Sequence, residues 1–285
     1  MSEREKDPNW NPRMRNQGNP HARRDTRQVS GAASVMPAQG KSVPSPRFFG
    51  ARYLLGAPTR PSSIVWDNGF LDKFKPRKPT PADLNALVIW QIKLDVAENF
   101  RLDLKDACEA YRHFLFGAGQ QRTFSYESYV MNDKSGETTV ANAMLDIQDG
   151  VEVIWESDKS VKQFSLTGGP ISCGATGLFP YPETENWQKA IGGHVIWLSG
   201  DAKVVEKTGR MWLRLNMVLH AEDRYNFNPG AQDIVTGIPD SDNGIFEITG
   251  LAKQYTQTAE LRRIVEWQYG TLDTGSTSTA SIPRR

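Results

Sequence analysis

The chain has 285 residues, is 38% hydrophobic with eight tryptophans, and carries a formal net charge of +1, enough apolar material for a sizeable core in one or two domains. The near-neutral balance gives no reason to expect nucleic acid as a partner, and no run reaches the ~18 apolar residues of a membrane span. No apolar stretch follows the basic residues of the N-terminus, so no classical signal peptide is expected.

The overall charge hides an asymmetry. Residues 1–80 hold 15 Lys and Arg against 6 Asp and Glu, a balance of +9 that leaves −8 for the remainder, and ten of the 17 prolines lie there too. Such a stretch cannot bury enough apolar surface to offset its ordering entropy. Residues 1–41 are expected to form a disordered basic tail, solvated or used as a docking arm, and residues 42–80 a linker or wrapping arm. From residue 81 to about 160 the chain reads as mainly helical. TPADLNALVIWQIKLDVAENF is compatible with two states: Pro81 after Thr80 suits a helix start, while Trp90, Ile92, Leu94 and Val96 alternate with polar residues as in a strand. Leu104, Ala107, Cys108, Tyr111 and Leu115 recur at helical spacing, with Gly117 as the stop. Another helix is predicted over Thr139–Ile147, with Gly150 a candidate end.

Residues 161–271 change character. LTGGPISCGATGLFPYP reads as irregular loops between short strands. HVIWLSGDAKVVEK, a turn at Lys207–Gly209 and RMWLRLNMVLHAE then form a predicted antiparallel hairpin. In its second strand Met211, Leu213, Leu215, Met217 and Leu219 share one face, and Trp212, Arg214, Asn216, Val218 and His220 the other. LRRIVEWQY supplies a last strand, and residues 272–285 a flexible tail. The expected class is α+β, a helical segment followed by an antiparallel β-sheet or half-barrel domain behind a disordered basic N-terminal tail. Cys108 and Cys173 are either one bridge or two buried thiols, the thiols being favoured, and neither has the C-x-x-C spacing of a metal ligand. Trp187, Trp197 and Trp212 are explained by core packing, with a face for a polyprenyl lipid or a membrane interface as the alternative.

The candidate site is HAEDRYNFNPGAQD, residues 220–233, where the hairpin's second strand ends. Pro229-Gly230 makes a turn. Continued alternation would point Asp223 and Tyr225 to the apolar side and Arg224 and Asn226 away. A carboxylate on the buried side must be paired or hydrogen-bonded, which suits either a strand-end structural contact or a tuned catalytic group. No phosphate loop, nucleophile elbow, zinc helix or dinucleotide fingerprint occurs elsewhere.

Asp223-x-Tyr225-x-Phe227-Asn228, leaving a strand and followed by a glycine-containing loop, resembles the active-site segment of the colicin M family. Upstream, His113, Leu115, Gly117, Gly119 and Arg122 in HFLFGAGQQR follow that family's His-aromatic-Leu-aromatic-Gly-x-Gly-x-x-Arg pattern. FPYPETENWQKAIGGHVIWLSGDAKVV resembles the approach to its catalytic sheet. The likeness spans about residues 113–255. It implies a bacteriocin-type hydrolase acting on a lipid-linked peptidoglycan precursor in the periplasm of target bacteria, with magnesium. It also implies an immunity protein or a delivery apparatus as partner, and secretion or injection without a signal peptide. Asp223 would be the catalytic carboxylate and Tyr225 its positioner, with Arg224 and Asn228 on the substrate.

The motif departs from the family at three places. Asn226 stands where the second aspartate would be, and Gln232 and Asp233 where a His-Arg pair would follow. Asparagine loses the negative charge that a divalent ion or a base needs, and Asp233 inverts the charge that would meet a pyrophosphate. A re-purposed or former catalytic cluster results. His220 is a candidate for the missing histidine, although strand alternation puts it on the face opposite Asp223, and His194 could approach His220 across the hairpin. Asp223 and Asp233, with Asp240 and Asp242, are candidate metal ligands if IPDSDNG folds back as a turn built on Gly244. The competing functions are a membrane-disrupting toxin or adaptor without hydrolysis, and a structural protein of a bacterial or phage assembly.

Overall fold

The computed structural model describes residues 53–174, 177–272 and the strand at 276–279. The tail expected over residues 1–41 lies outside these. The fold is α+β: helices and one mixed, mostly antiparallel sheet of eight strands. In chain order the helices are α1 (Phe70–Lys73), α2 (Pro81–Phe100), α3 (Lys105–Phe116), α4 (Tyr126–Asn132), α5 (Lys134–Ser157), α6 (Glu185–Ala190) and α7 (Ser241–Thr249). The strands are β1 (Tyr53–Leu55), β2 (Arg122–Thr123), β3 (Gln163–Gly168), β4 (Ile171–Cys173), β5 (His194–Lys207), β6 (Arg210–Tyr225), β7 (Tyr255–Gln268) and β8 (Ser276–Thr279). The sheet runs β1-β3-β5-β6-β7-β2, with β4 also on β5 and β8 also on β7.

Residues 81–100 settle as helix. Thr80 accepts from the Asp83 amide while the Asp83 carboxylate accepts from the Thr80 amide, a capping box with Pro81 in the first turn. Leu87, Trp90, Leu94 and Ala97 then turn inward at helical spacing. The apparent strand alternation arises because this helix is apolar on both faces. The hairpin of β5 and β6 follows the predicted alternation: Leu213, Leu215, Met217, Leu219 and Ala221 are buried on one side. Its turn places Thr208 and Gly209 at φ 48 and 74, the two positive values a two-residue turn of the strand's own twist requires.

Two expectations at glycines are corrected. Gly150 does not end a helix, since α5 runs through it to Ser157. It is instead a slot for Tyr53: a Cβ on Gly150 would stand 2.5 Å from the Tyr53 ring, and one on Gly168 2.9 Å. Tyr53 is fully buried and donates to Asp146 at 2.6 Å. Gly244 is not a turn residue either. It lies inside α7, where an added Cβ would meet the Phe70 ring at 2.2 Å.

The segment boundaries read from composition do not separate structural units. β1 from the supposed linker pairs with β3, and β2 from the helical segment pairs in parallel with β7. β8, from the tail expected to be flexible, pairs with β7. The main core packs α5 on the sheet through Ala143, Ile147, Val151 and Ile154. A second cluster joins α2, α3 and α7 to the end where β6 leaves the sheet, through Leu94, Phe114, Phe246 and Tyr255. Cys108 and Cys173 are free, buried thiols.

Candidate active site

Where β6 ends, α2, α3, α6 and residues 226–243 enclose a cleft of about 370 Å³. Asp223, Arg224, Tyr225, Asn226, Asn228 and Asp233 all line it. The strand-end cluster therefore opens into one cavity, with apolar walls from Trp90, Leu94, Ala97, Leu104 and Ile191.

Asp223 and Tyr225 sit on the inward face, as the alternation predicts. Gln257, fully buried, stands opposite Asp223 on β7 and opposite Arg122 of β2. Its amide nitrogen donates to Asp223 at 2.9 Å and to the Ala190 carbonyl at 2.6 Å, and its oxygen accepts from Arg122 at 3.0 Å. A second route runs beside it: the His113 ring meets Tyr255 edge-on at 4.4 Å, and Tyr255 stacks on Tyr225 at 5.1 Å. The two sequence segments singled out separately, HFLFGAGQQR and DRYNFN, thus touch the same two residues of β7. His113 also bonds the Gln120 carbonyl at 2.7 Å through Nε2, closing the loop after α3.

Burial pushes the Asp223 carboxyl up to about 8, only partly countered by Gln257 and by the Arg224 amide. Burial likewise raises Glu247 to about 8 and Asp240 to about 6. It holds the Tyr225, Tyr181 and Tyr111 phenols well above their ordinary value, so these remain donors. A carboxyl titrating near neutrality can give and take protons. Arg224 is half-buried and its partners are neutral: Gln254 at 3.1 Å and Thr256 at 3.3 Å. Among the described residues it makes no ion pair, so its charge is open to an anion at the cleft.

Asn226, expected like Arg224 to point away from the apolar side, lines the cleft as Arg224 does and donates to Asp67 at 2.8 Å. The neighbour explains the departure from the family motif. An aspartate here would set two carboxylates against each other. Asn226→Asp is therefore expected to destabilise the fold by about 1–3 kcal/mol rather than to add catalytic power, with Asp67→Asn recovering the loss; thermal melts of the single and double variants check this.

His220 does not join the site. It lies on the opposite sheet face, stacked nearly parallel on Trp197 at 5.0 Å, with Nε2 at 2.8 Å from the Ser199 hydroxyl and Nδ1 at 3.4 Å from Glu260. The order Ser-His-Glu has the outline of a nucleophile relay, but Ser199 is fully buried in mid-strand. His194 does not approach it: it is buried on the inward face, against Tyr126 at 3.1 Å. Strand parity keeps His220 on the face away from Asp223, and His194, though inward, is engaged with Tyr126 and does not line the cleft, so neither histidine replaces the one missing from the motif.

Of the candidate metal ligands, Asp223, Asp233 and Asp240 line the cleft without converging. Asp223 accepts from Gln257, Asp240 from the Asn228 amide at 2.9 Å, and Asp233 from the Thr236 amide at 2.6 Å while pairing with Lys189 at 2.9 Å. Asp242 is exposed. Among the described residues no three His, Cys, Asp or Glu side chains could hold a metal together. These donors do not fit a divalent ion in this arrangement.

Gln257 carries no recognisable signal in the sequence, and Tyr181 and Lys189 lie in the FPYPETENWQKAIGG stretch without being singled out there. Tyr181 lies in the FPYP segment, half-buried within the influence of Asp223, Asp233 and Asp240. Lys189 joins Asp233 to Glu185, which also holds Arg101 at 2.7 Å. Compared with family models, curated proteins and solved structures, the chain matches none of them.

Proposed function

We propose that the protein is a hydrolase of a phosphoester in a lipid-linked cell-wall precursor, an antibacterial effector acting in the periplasm of target bacteria. The observation that carries this reading is that Asp223 and Tyr225, which line a mostly apolar cleft, meet the upstream Arg122 and His113 through Gln257 and Tyr255 behind it. A lipid-linked phosphate joins an anionic centre to an apolar chain. The cleft offers Arg224 to the first and the Trp90, Leu94 and Ala97 wall to the second.

In this reading the ionised Asp223 takes a proton from the water that attacks phosphorus. The protonated carboxyl then returns it to the leaving oxygen as the phosphorus–oxygen bond breaks. A group with a pKa near the working pH serves both halves. Tyr225, held protonated and stacked on Tyr255, fixes the floor beside Asp223. Arg224 steadies the charge that builds on the phosphoryl oxygens.

The test is release of a water-soluble headgroup product from a polyprenyl-pyrophosphate-linked saccharide by the purified full chain, with and without magnesium. Release in either condition supports the reading. No release in both, from protein that melts cooperatively, overturns it.

A further inference from the structure

We propose that α2 is a docking surface for an anionic lipid membrane. The inward face of this helix is accounted for, but its outer face is not polar. Leu84, Val88, Ile89, Ile92 and Val96 are between 46% and 57% exposed, and beyond them Phe100 and Leu102 are 80% and 81% exposed. Positions 84, 88, 92 and 96 form a single row along the helix. An ordinary surface helix has one apolar stripe facing its core; this one has a second facing outward, and a contiguous exposed apolar face of this kind marks an interaction surface.

Charge selects the occupant. The segment KFKPRKPT, residues 73–80, leads directly into α2, is exposed throughout and contains four basic residues and no acid. Arg77 is engaged by Asp83, whereas Lys73, Lys75 and Lys78 make no ion pair among the described residues. Phe74, among these lysines, is 47% exposed. The acid on the outer face of the helix, Asp95, is paired with Arg112, and Asp103 beyond it with Arg101. A row of aliphatic side chains with an aromatic residue at its end, continuous with free lysines, matches the boundary between acyl chains and anionic headgroups. No described helix is long and apolar enough to cross a membrane, so α2 lies in the interface.

The placement deepens the reading of the site and rests on it in one respect. Trp90, Lys93, Leu94 and Ala97 of the same helix, with Arg101 just after it, line the cleft. A docked α2 therefore sets the cleft beside the headgroup layer, where a lipid-borne phosphate is presented without leaving the bilayer. Membrane docking itself requires no catalysis, so the two can fail separately.

The test is co-sedimentation of the full chain with vesicles of equal parts phosphatidylglycerol and phosphatidylethanolamine, free of precursor, against phosphatidylcholine vesicles. Binding to the anionic vesicles, weakened at least tenfold in I92E/V96E and made less sensitive to salt in K73Q/K75Q/K78Q, is the expected result. Both sets of side chains are exposed, and an unchanged melting temperature confirms that the variants fold. Equal sedimentation of wild type and I92E/V96E overturns the proposal. So does failure of the wild type to bind, including the case in which light scattering shows a dimer that I92E/V96E dissolves, because the stripe then belongs to a second copy.

Discussion

Replacing Gln257 by leucine is expected to lower the melting temperature by roughly 10 °C and to cost activity as well. The change keeps the volume but removes three hydrogen bonds, to Asp223, Arg122 and the Ala190 carbonyl. Each buried partner left unsatisfied costs about 1–3 kcal/mol, so the sum is about 3 kcal/mol or more, and in a chain of this size each kcal/mol moves the midpoint by about 2–4 °C. A drop of only a degree or two would mean that the bridge between β6, β7 and β2 is not what holds the site. Gln257 is a positioning residue: without it Asp223 loses the donor that partly offsets its burial. Any activity that survives should therefore show its carboxyl limb at higher pH than the wild type. A merely structural loss would leave that limb in place.

The second large effect is on stability against pH. Folding raises the carboxyls of Asp223 and Glu247 to about 8, Asp146 to about 7 and Asp240 to about 6, in each case through burial first. A group whose folded pKa lies above its unfolded value binds more protons in the folded state. Its contribution is complete below about pH 4 and is lost as pH rises through the folded value. His194, lowered to about 4 by burial, acts in the opposite direction up to its unfolded value of about 6.5. Between about pH 6.5 and 8 only the carboxyls remain, so the melting temperature should fall across that window. Asp223→Asn, which keeps an oxygen for Gln257 but cannot ionise, should fall less steeply. A melting temperature that is flat or rising from pH 6.5 to 8 would contradict the buried, protonated site.

The hairpin and α3 were legible because their patterns are local: strict alternation over β6, and a helical row ending at Gly117. That alternation also placed Asp223 and Tyr225 on the inward face, and strand parity argued against His220 as their partner. Residues 81–100 were not decidable from pattern because α2 carries apolar side chains on both faces, only one of which meets the core. Gly150 looked like a helix stop; the ring that requires it belongs to Tyr53, 97 positions earlier. The same distance effect hid the site's supports. Gln257 lies 34 residues from Asp223, and Asp67 lies 159 from Asn226. Asn226 read as a lost charge because only the fold reveals the carboxylate it faces.

The most direct measurement compares the full wild-type chain with Asp223→Asn in the release of soluble product from the polyprenyl-pyrophosphate-linked saccharide. Removing the one group that moves protons should cost about 100-fold or more while circular dichroism stays unchanged, and that result would make the strand-end cluster a working site despite Asn226 and Asp233. Equal release by both proteins would place the chemistry elsewhere and reduce Asp223 to a buried structural carboxyl.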